Sequence, residues 1–296
     1  MNQDSLTICL FGSHLFRRNG RPYRLGIRGA TLDLLQHLVV HAGREVRREC
    51  IADQFWHSSS ECRQRSALNS ALWRLSKKLP DHPGISLHFT GSTICFEIGD
   101  DVEVDTRVLT DLVCQGSRRL GMDNTLADKL SAALDASEVP FMGGLIEDWA
   151  LSLHEQMFNI RLRGMTLLMH WYGDSRRYED ALEVGRRLLK ADPFRETVQI
   201  DLMWLYVLNG QRAQALKHYK HYAELLDREL NIEPMAETRA LYDYIRCDLN
   251  CGSPVNDLPS VQSHDPANKR QKLNILLGAI EQSRREFYQS LRGHAD

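Results

Sequence analysis

The chain has no apolar run approaching the roughly 18 to 20 residues that a membrane-spanning helix needs, so no membrane partner is expected. Its amino terminus, MNQDSLTICLF, has neither a positive n-region nor a small-residue cleavage site, and the expected location is cytoplasmic. Cysteine is present without a framework. The seven thiols are an odd number at irregular spacing, no C-x-x-C pair occurs, and Cys247 and Cys251 have no second half with nearby histidines to complete a tetrahedral zinc site. Reduced and mostly buried thiols are the expectation, with Cys62, set among arginines, the one candidate for redox chemistry. Catalytic signatures are missing as well: no G-x-x-x-x-G-K-[ST] loop, no G-x-G-x-x-G after a strand, no H-E-x-x-H and no G-x-S-x-G elbow. No catalytic residue, cofactor or metal is therefore expected. His218 and His221 are close enough on one helix to share a metal, but no carboxylate or cysteine pattern joins them, and they read as surface residues of a helical repeat. No receiver domain or nucleotide-binding module is expected, so neither aspartate phosphorylation nor ATP hydrolysis in cis is indicated.

What is present is an ordinary globular composition with an uneven distribution of charge. A length of 296 residues exceeds what one core usually serves and points to two domains, with room for a third. Residues 1–98 hold 13 Lys+Arg against 8 Asp+Glu, a balance of +5, while the remainder holds 24 against 31, a balance of −7. The basic end suits a polyanion and the acidic end does not.

Within the basic end, residues 6–28 alternate apolar and polar side chains on both sides of Asn19-Gly20, a strong hairpin signal because both turn residues tolerate positive φ. From Thr31, a candidate N-cap, the period becomes helical through Leu32, Leu35, Leu38 and Val39 and stops at Gly43. A short helix follows over about 48–55, with Ile51, Phe55 and Trp56 as its apolar contacts. A polar loop then leads into RQRSALNSALWRLSKKL, residues 63–79. Leu68, Leu72, Leu75 and Leu79 share one face of that helix, and the remaining surface is basic and polar. Two alternating runs, ISLHF and TICFEI, flank Thr90-Gly91-Ser92 as a second hairpin. Residues 99–106, GDDVEVDT, are acidic and read as a hinge.

A sheet, three helices and a hairpin make the order of a winged helix-turn-helix with an added N-terminal sheet. Together with Gly43, Arg44, Val46 and Arg48 of a G-R-x-V-x-R stretch, the Phe55-Trp56 pair and the L-x-K-K-L end of helix 63–79, this order resembles the DNA-binding domain of the OmpR/PhoB class of bacterial regulators. That resemblance implies that helix 63–79 enters the major groove and that the hairpin wing reaches a minor groove. The residue types agree. A recognition helix needs small or polar residues toward the bases and cations at its ends for phosphates. Asn69, Ser70, Trp73 and Arg74 are the base-reading candidates, Arg74 being suited to guanine and Asn69 to adenine. Arg63, Arg65, Lys77 and Lys78 suit phosphates, and Thr90 and Ser92 at the wing tip complete the expected DNA-binding set. Two departures stand out: Ser76 where a cation is usual, and a wing tip poor in basic residues. Trp73 could instead pack on the wing, and Lys77 and Lys78 could serve solubility alone.

Beyond Thr106 the period is helical, with candidate helices over about 106–119, 124–137, 148–171, 177–190, 194–209, 212–230 and 235–249. Asp192 as N-cap with Pro193 at the first helical position reads as a helix start. Ala181-Leu182 returns 34 residues later as Ala215-Leu216, the tetratricopeptide period with Ala at the tight helix crossing. Such helix pairs stack into a concave protein-binding surface. The order from VEVDT and GGLIEDWALSLHEQ to the D-P-F-x-E of Asp192 to Glu196, the L-M-x-x-L-Y of Leu202 to Tyr206, the G-Q-R-x-x-A-L-x-x-Y of Gly210 to Tyr219 and the L-x-x-E-L-x-I-E-P of Leu226 to Pro234 resembles the SARP family, the antibiotic-regulatory-protein type of bacterial transcriptional activator. Asn231 stands where glycine is common.

The expected fold is thus mainly α with a small β component: a winged helix-turn-helix over 1–104 and a tetratricopeptide-like activator domain over 105–249. A linker over 250–271 and an amphipathic helix over 272–293 are expected to follow, the latter capping the repeat stack or the linker's own groove, or forming a homodimer contact. The resemblance implies an activator that binds repeated sites in double-stranded promoter DNA and contacts RNA polymerase holoenzyme. The competing reading is a tetratricopeptide adaptor without sequence-specific DNA binding, for which the basic face would be incidental.

Overall fold

The computed structural model describes residues 5–57, 59–118, 122–145 and 147–247; the expected linker and terminal helix lie outside the described residues. The chain divides into two compact units, one of Met1–Leu112 with Lys129–Arg161 and one of Val113–Asp128 with the residues from Leu162 on.

In the first unit, β1 (Leu6–Ile8), β2 (Phe16–Arg18) and β3 (Arg21–Tyr23) form antiparallel neighbours. Arg18 pairs with Arg21 across a two-residue turn in which Asn19 and Gly20 have φ of 52° and 75°, the primed turn that the Asn-Gly pair favours. Then come α1 (Ala30–Val40), β4 (Val46–Arg47), α2 (Arg48–Trp56), α3 (Glu61–Lys78), β5 (Ile85–Phe89) and β6 (Thr93–Ile98). A three-stranded sheet in the order β4-β6-β5 forms the wing. Leu34, Leu35, Leu38, Ile51, Leu68, Leu72, Leu75, Ile94 and Phe96 are buried as its core with the helices. Thr31 does not cap α1: Gly29 precedes the helix, and Thr31 lies in its first turn with the side chain buried. The exit of α1 runs through Gly43, whose φ of +81° suits glycine and whose N–H reaches the carbonyl of Phe96 at 2.8 Å.

The acidic stretch expected to be a hinge contains β7 (Val102–Val104), which lies parallel to β1 and completes a four-stranded sheet in the order β3-β2-β1-β7. The physical reason is the Val-Glu-Val alternation, which buries Val102 and Val104 and leaves Glu103 in solvent. Asp105, at the start of α4 (Asp105–Gly116), then accepts hydrogen bonds from the backbone N–H groups of Leu10 and Phe11, both at 2.9 Å, and of Thr106 at 2.7 Å. Burial pushes its carboxyl pKa up, and these three backbone donors pull against that shift.

After α5 (Asn124–Ala136) the chain returns to the N-terminal sheet. Met142 donates its N–H to the carbonyl of Leu10 and Gly12 to that of Pro140, at 2.6 and 3.0 Å. Trp149, near the start of α6 (Asp148–Asp174), sets its ring against His37 of α1 and Phe55 of α2, with centroids 4.8 and 5.5 Å apart. His37 also stacks on His41 at 4.2 Å; burial first, and His41 second, lower its pKa to about 4.

The second unit contains α7 (Tyr178–Ala191), α8 (Glu196–Leu208), α9 (Arg212–Leu230) and α10 (Ala236–Cys247). Ala181 and Ala215, the repeated pair, are completely buried, as a tight crossing requires. At Gly185 of α7 the approach is closer still, since an added Cβ would lie 2.5 Å from Leu202 Cδ2. Asp192 and Pro193 do not start α8. Asp192 follows the end of α7 and accepts from Arg195 Nε at 2.8 Å, and the helix begins at Glu196. Glu196 instead joins three helices: its carboxylate accepts from Met235 N at 2.6 Å, from the Thr238 hydroxyl and from the Tyr222 hydroxyl. Arg212 closes the other end by donating to the carbonyls of Ile245 and Arg246 in the last turn of α10, at 2.8 and 2.7 Å.

Candidate functional site

The side of α3 away from the core is the candidate site. Leu68, Ala71, Leu72 and Leu75 are buried, and Leu79, expected on the same face, is half-buried just past the last turn. The burial period turns the remaining residues outward. Arg63, Asn69, Ser70, Trp73, Arg74, Lys77 and Lys78 are all exposed, and Arg63, Arg74, Lys77 and Lys78 form no ion pair among the described residues. Trp73 is 64% exposed, so it is not spent on packing against the wing. An indole held in solvent beside cations can lie flat on a sugar–phosphate edge or contact a thymine methyl.

Other members of the expected set are constrained. Arg65 donates to Glu61 Oε1 at 2.5 Å and lies 3.7 Å from Glu49 on α2, so a phosphate would have to compete with two carboxylates. The sequence signal for this was available only in part: Glu61 is at the helical i,i+4 spacing, whereas Glu49 arrives from another helix. Ser70 donates its hydroxyl to the carbonyl of Ser66 at 2.9 Å and keeps its lone pairs for accepting. At the wing tip, Thr90 Oγ1 accepts from the N–H groups of Ser92 and Thr93 at 3.3 and 3.1 Å, and so builds the turn between β5 and β6. Ser92 is exposed.

Arg48, the first residue of α2, belongs in the sequence to the G-R-x-V-x-R motif alone and is absent from the expected DNA-binding set. Its backbone N–H donates to Ser92 O at 2.9 Å. Its guanidinium donates through one nitrogen to Thr90 O at 3.2 Å and through the other to Asn69 Oδ1, and stands 5.9 Å from the centre of the Phe89 ring. One side chain thus links the wing tip to the candidate reading residue on α3. No periodicity in the sequence announces it, because its partners come from α3 and from the β5–β6 hairpin, both distant from α2 in the chain.

His218 is half-buried rather than on the surface, and burial, with His221 second, lowers its pKa to about 4. His221 is exposed, and no group of three or more metal-ligating side chains occurs among the described residues. Among the described residues the thiols are less buried than expected: Cys50, Cys62 and Cys114 are exposed, on the outward faces of α2, α3 and α4, and Cys9 and Cys95 are half-buried, all five of them free, while Cys251 lies outside the described residues. Among the described residues, no helix is long and apolar enough to cross a membrane.

Residues 104–246 match the family described as Bacterial transcriptional activator domain. The chain is 26% identical over 260 residues to the transcriptional regulatory protein MoaR1 of Mycobacterium bovis (strain BCG), covering 80% of this chain and 79% of that protein. MoaR1 of Mycobacterium tuberculosis matches with the same identity over the same shares. The structure of Mycobacterium tuberculosis EmbR in complex with a low affinity phosphopeptide superposes with a TM-score of 0.65 at 20% identity, covering 94% of this chain and 71% of that one, which is a likeness of fold.

Proposed function

We propose that this chain, a SARP-type transcriptional regulator carrying a bacterial transcriptional activator domain, reads double-stranded promoter DNA with α3 in the major groove and the β5–β6 wing at an adjacent minor groove. The observation that carries this reading is the outward face of α3: Asn69, Trp73 and Arg74 in its middle and Lys77 and Lys78 at its end, all in solvent. Arg74 reads guanine O6 and N7, Asn69 reads adenine, and Arg63, Lys77 and Lys78 hold phosphates. The second unit carries the repeat helices and meets RNA polymerase holoenzyme or a regulatory partner. The protein works in the cytoplasm, where its DNA is.

Selecting genomic fragments bound by the purified full chain tests the reading directly. A recurring site should emerge, with Arg74→Ala relaxing base preference at one position. Lys77→Ala should weaken all sequences alike and lower the salt slope by about 1. Equal and weak binding to every duplex at moderate salt would refute sequence-specific recognition. A protein partner that survives nuclease treatment, with no duplex affinity, would favour the adaptor reading.

A further inference from the structure

We propose that Arg48 is a specificity-determining positioning residue, which sets the side chain of Asn69 for base reading and ties that setting to the conformation of the wing. The inference rests on the DNA-binding reading above but concerns a residue that contributes to it from outside α3. Arg48 begins α2, and its two terminal nitrogens are divided between Asn69 Oδ1 on α3 and the carbonyl of Thr90 at the wing tip. Its own N–H is held by Ser92 O at 2.9 Å, and its guanidinium stands beside the exposed Phe89 ring.

The chemistry explains why this matters. An asparagine reads adenine with both ends of its amide, the oxygen accepting from N6–H and the nitrogen donating to N7. In free solution that amide rotates, so neither its acceptor end nor its donor end is held in a fixed direction. A donor placed on Oδ1 fixes which end is the oxygen and restricts rotation of the amide, while the second lone pair of Oδ1 and the N–H groups of Nδ2 stay available for a base. Arginine suits this task because its planar fork presents donors in fixed directions to two acceptors at once, which a lysine ammonium on a flexible stem does not do. The wing is thereby included: a shift of Thr90 O moves the guanidinium, and with it the amide of Asn69.

The experiment uses the full chain as wild type, Arg48→Lys, Arg48→Ala, Asn69→Ala and the double variant Arg48→Ala/Asn69→Ala. The first readout is the sequence preference of selected DNA. Wild type should discriminate at the base read by Asn69 by about tenfold or more, and each single variant should lose most of that factor. The double variant should lose no more than Asn69→Ala alone, because both act through one amide. The slope of log affinity against log salt should stay unchanged in Arg48→Lys. A slope reduced by about 1 in Arg48→Ala, with preference at the Asn69 position intact, would mean that Arg48 is a phosphate contact and would overturn the proposal. Full preference in Arg48→Lys would overturn the role of the fork. The second readout needs no DNA: the Asn69 side-chain amide, followed by NMR in the free chain, should be ordered in wild type and mobile in Arg48→Lys. An amide equally mobile in both would refute the positioning role. An ordered amide together with no sequence preference in wild type would refute the DNA-binding reading instead.

Discussion

Glu196 offers a sharp test of how the helical unit is held. Its carboxylate accepts from the N–H of Met235, the hydroxyl of Thr238 and the hydroxyl of Tyr222, and so ties α8 to α9 and α10. Thr238 is completely buried and Tyr222 is 2% exposed, so water cannot replace the acceptor that Glu196→Ala removes. A buried donor left without a partner costs about 1 to 3 kcal/mol, so the two hydroxyls together imply a loss of roughly 2 to 6 kcal/mol. Glu196→Gln keeps one acceptor oxygen and should cost only about 1 to 2 kcal/mol, the difference between a charged and a neutral hydrogen bond. Urea unfolding of the full chain, followed by far-ultraviolet circular dichroism, reads both numbers. A second signal comes from Tyr222. Its phenol pKa is raised by burial first, then by the charge of Glu196 and the hydrogen bond to it, so Glu196→Gln should bring the ionisation back toward the ordinary value in an absorbance titration. A loss below about 1 kcal/mol for Glu196→Ala, with an unchanged Tyr222 titration, would show that the junction is not carried by this carboxylate.

Three further outcomes follow from other contacts. Gly185→Ala places a Cβ 2.5 Å from Leu202 Cδ2 and 3.0 Å from Met169 Sδ, both on completely buried side chains, and overpacking of that kind should cost about 1 to 3 kcal/mol in thermal unfolding despite the better helix propensity of alanine. Asn231 ends α9 with φ of 53° and ψ of 43°, so Asn231→Gly should be neutral or stabilising, whereas Asn231→Ala should cost about 1 kcal/mol in the same assay. The pKa of His37 is lowered in the fold from 6.5 to about 4, so between those values the unfolded chain binds more protons than the folded one. Stability should therefore rise with pH from about 4 to 6.5 and fall as the solution is acidified through that window, and His37→Gln should flatten that part of a pH series of denaturation midpoints.

Much of this molecule is legible in local pattern. The Asn19-Gly20 turn, the second hairpin, the buried leucines of α3 and the repeated alanines all express rules that act within a few residues of chain, and each is found where period and turn chemistry put it. The errors have a common character. Thr31 and Asp192 carry the right side chains for helix caps, but the backbone enters α1 and α8 elsewhere, since cap preference is a weak term that packing overrides. Residues 102–104 read as an acidic hinge because three residues are too few for a strand period to stand out, and the partner strand β1 lies at the far end of the domain. Trp149 reads with the helical half because it is near it in sequence, while its ring belongs against His37 and Phe55.

The sequence by itself determined which face of each helix is apolar, where the turns fall, that the basic charge is concentrated ahead of residue 99, and which family pattern the second half follows. These are one-dimensional properties, set by side-chain type at fixed spacing. Only the tertiary structure decided that β7 returns to β1, that residues 129–161 join the winged unit, that Arg65 is paired with Glu49, and that Arg48 stands between Asn69 and the wing. Each of those depends on groups from separate elements meeting in space, and such meetings follow from how the whole core closes, which no local spacing encodes.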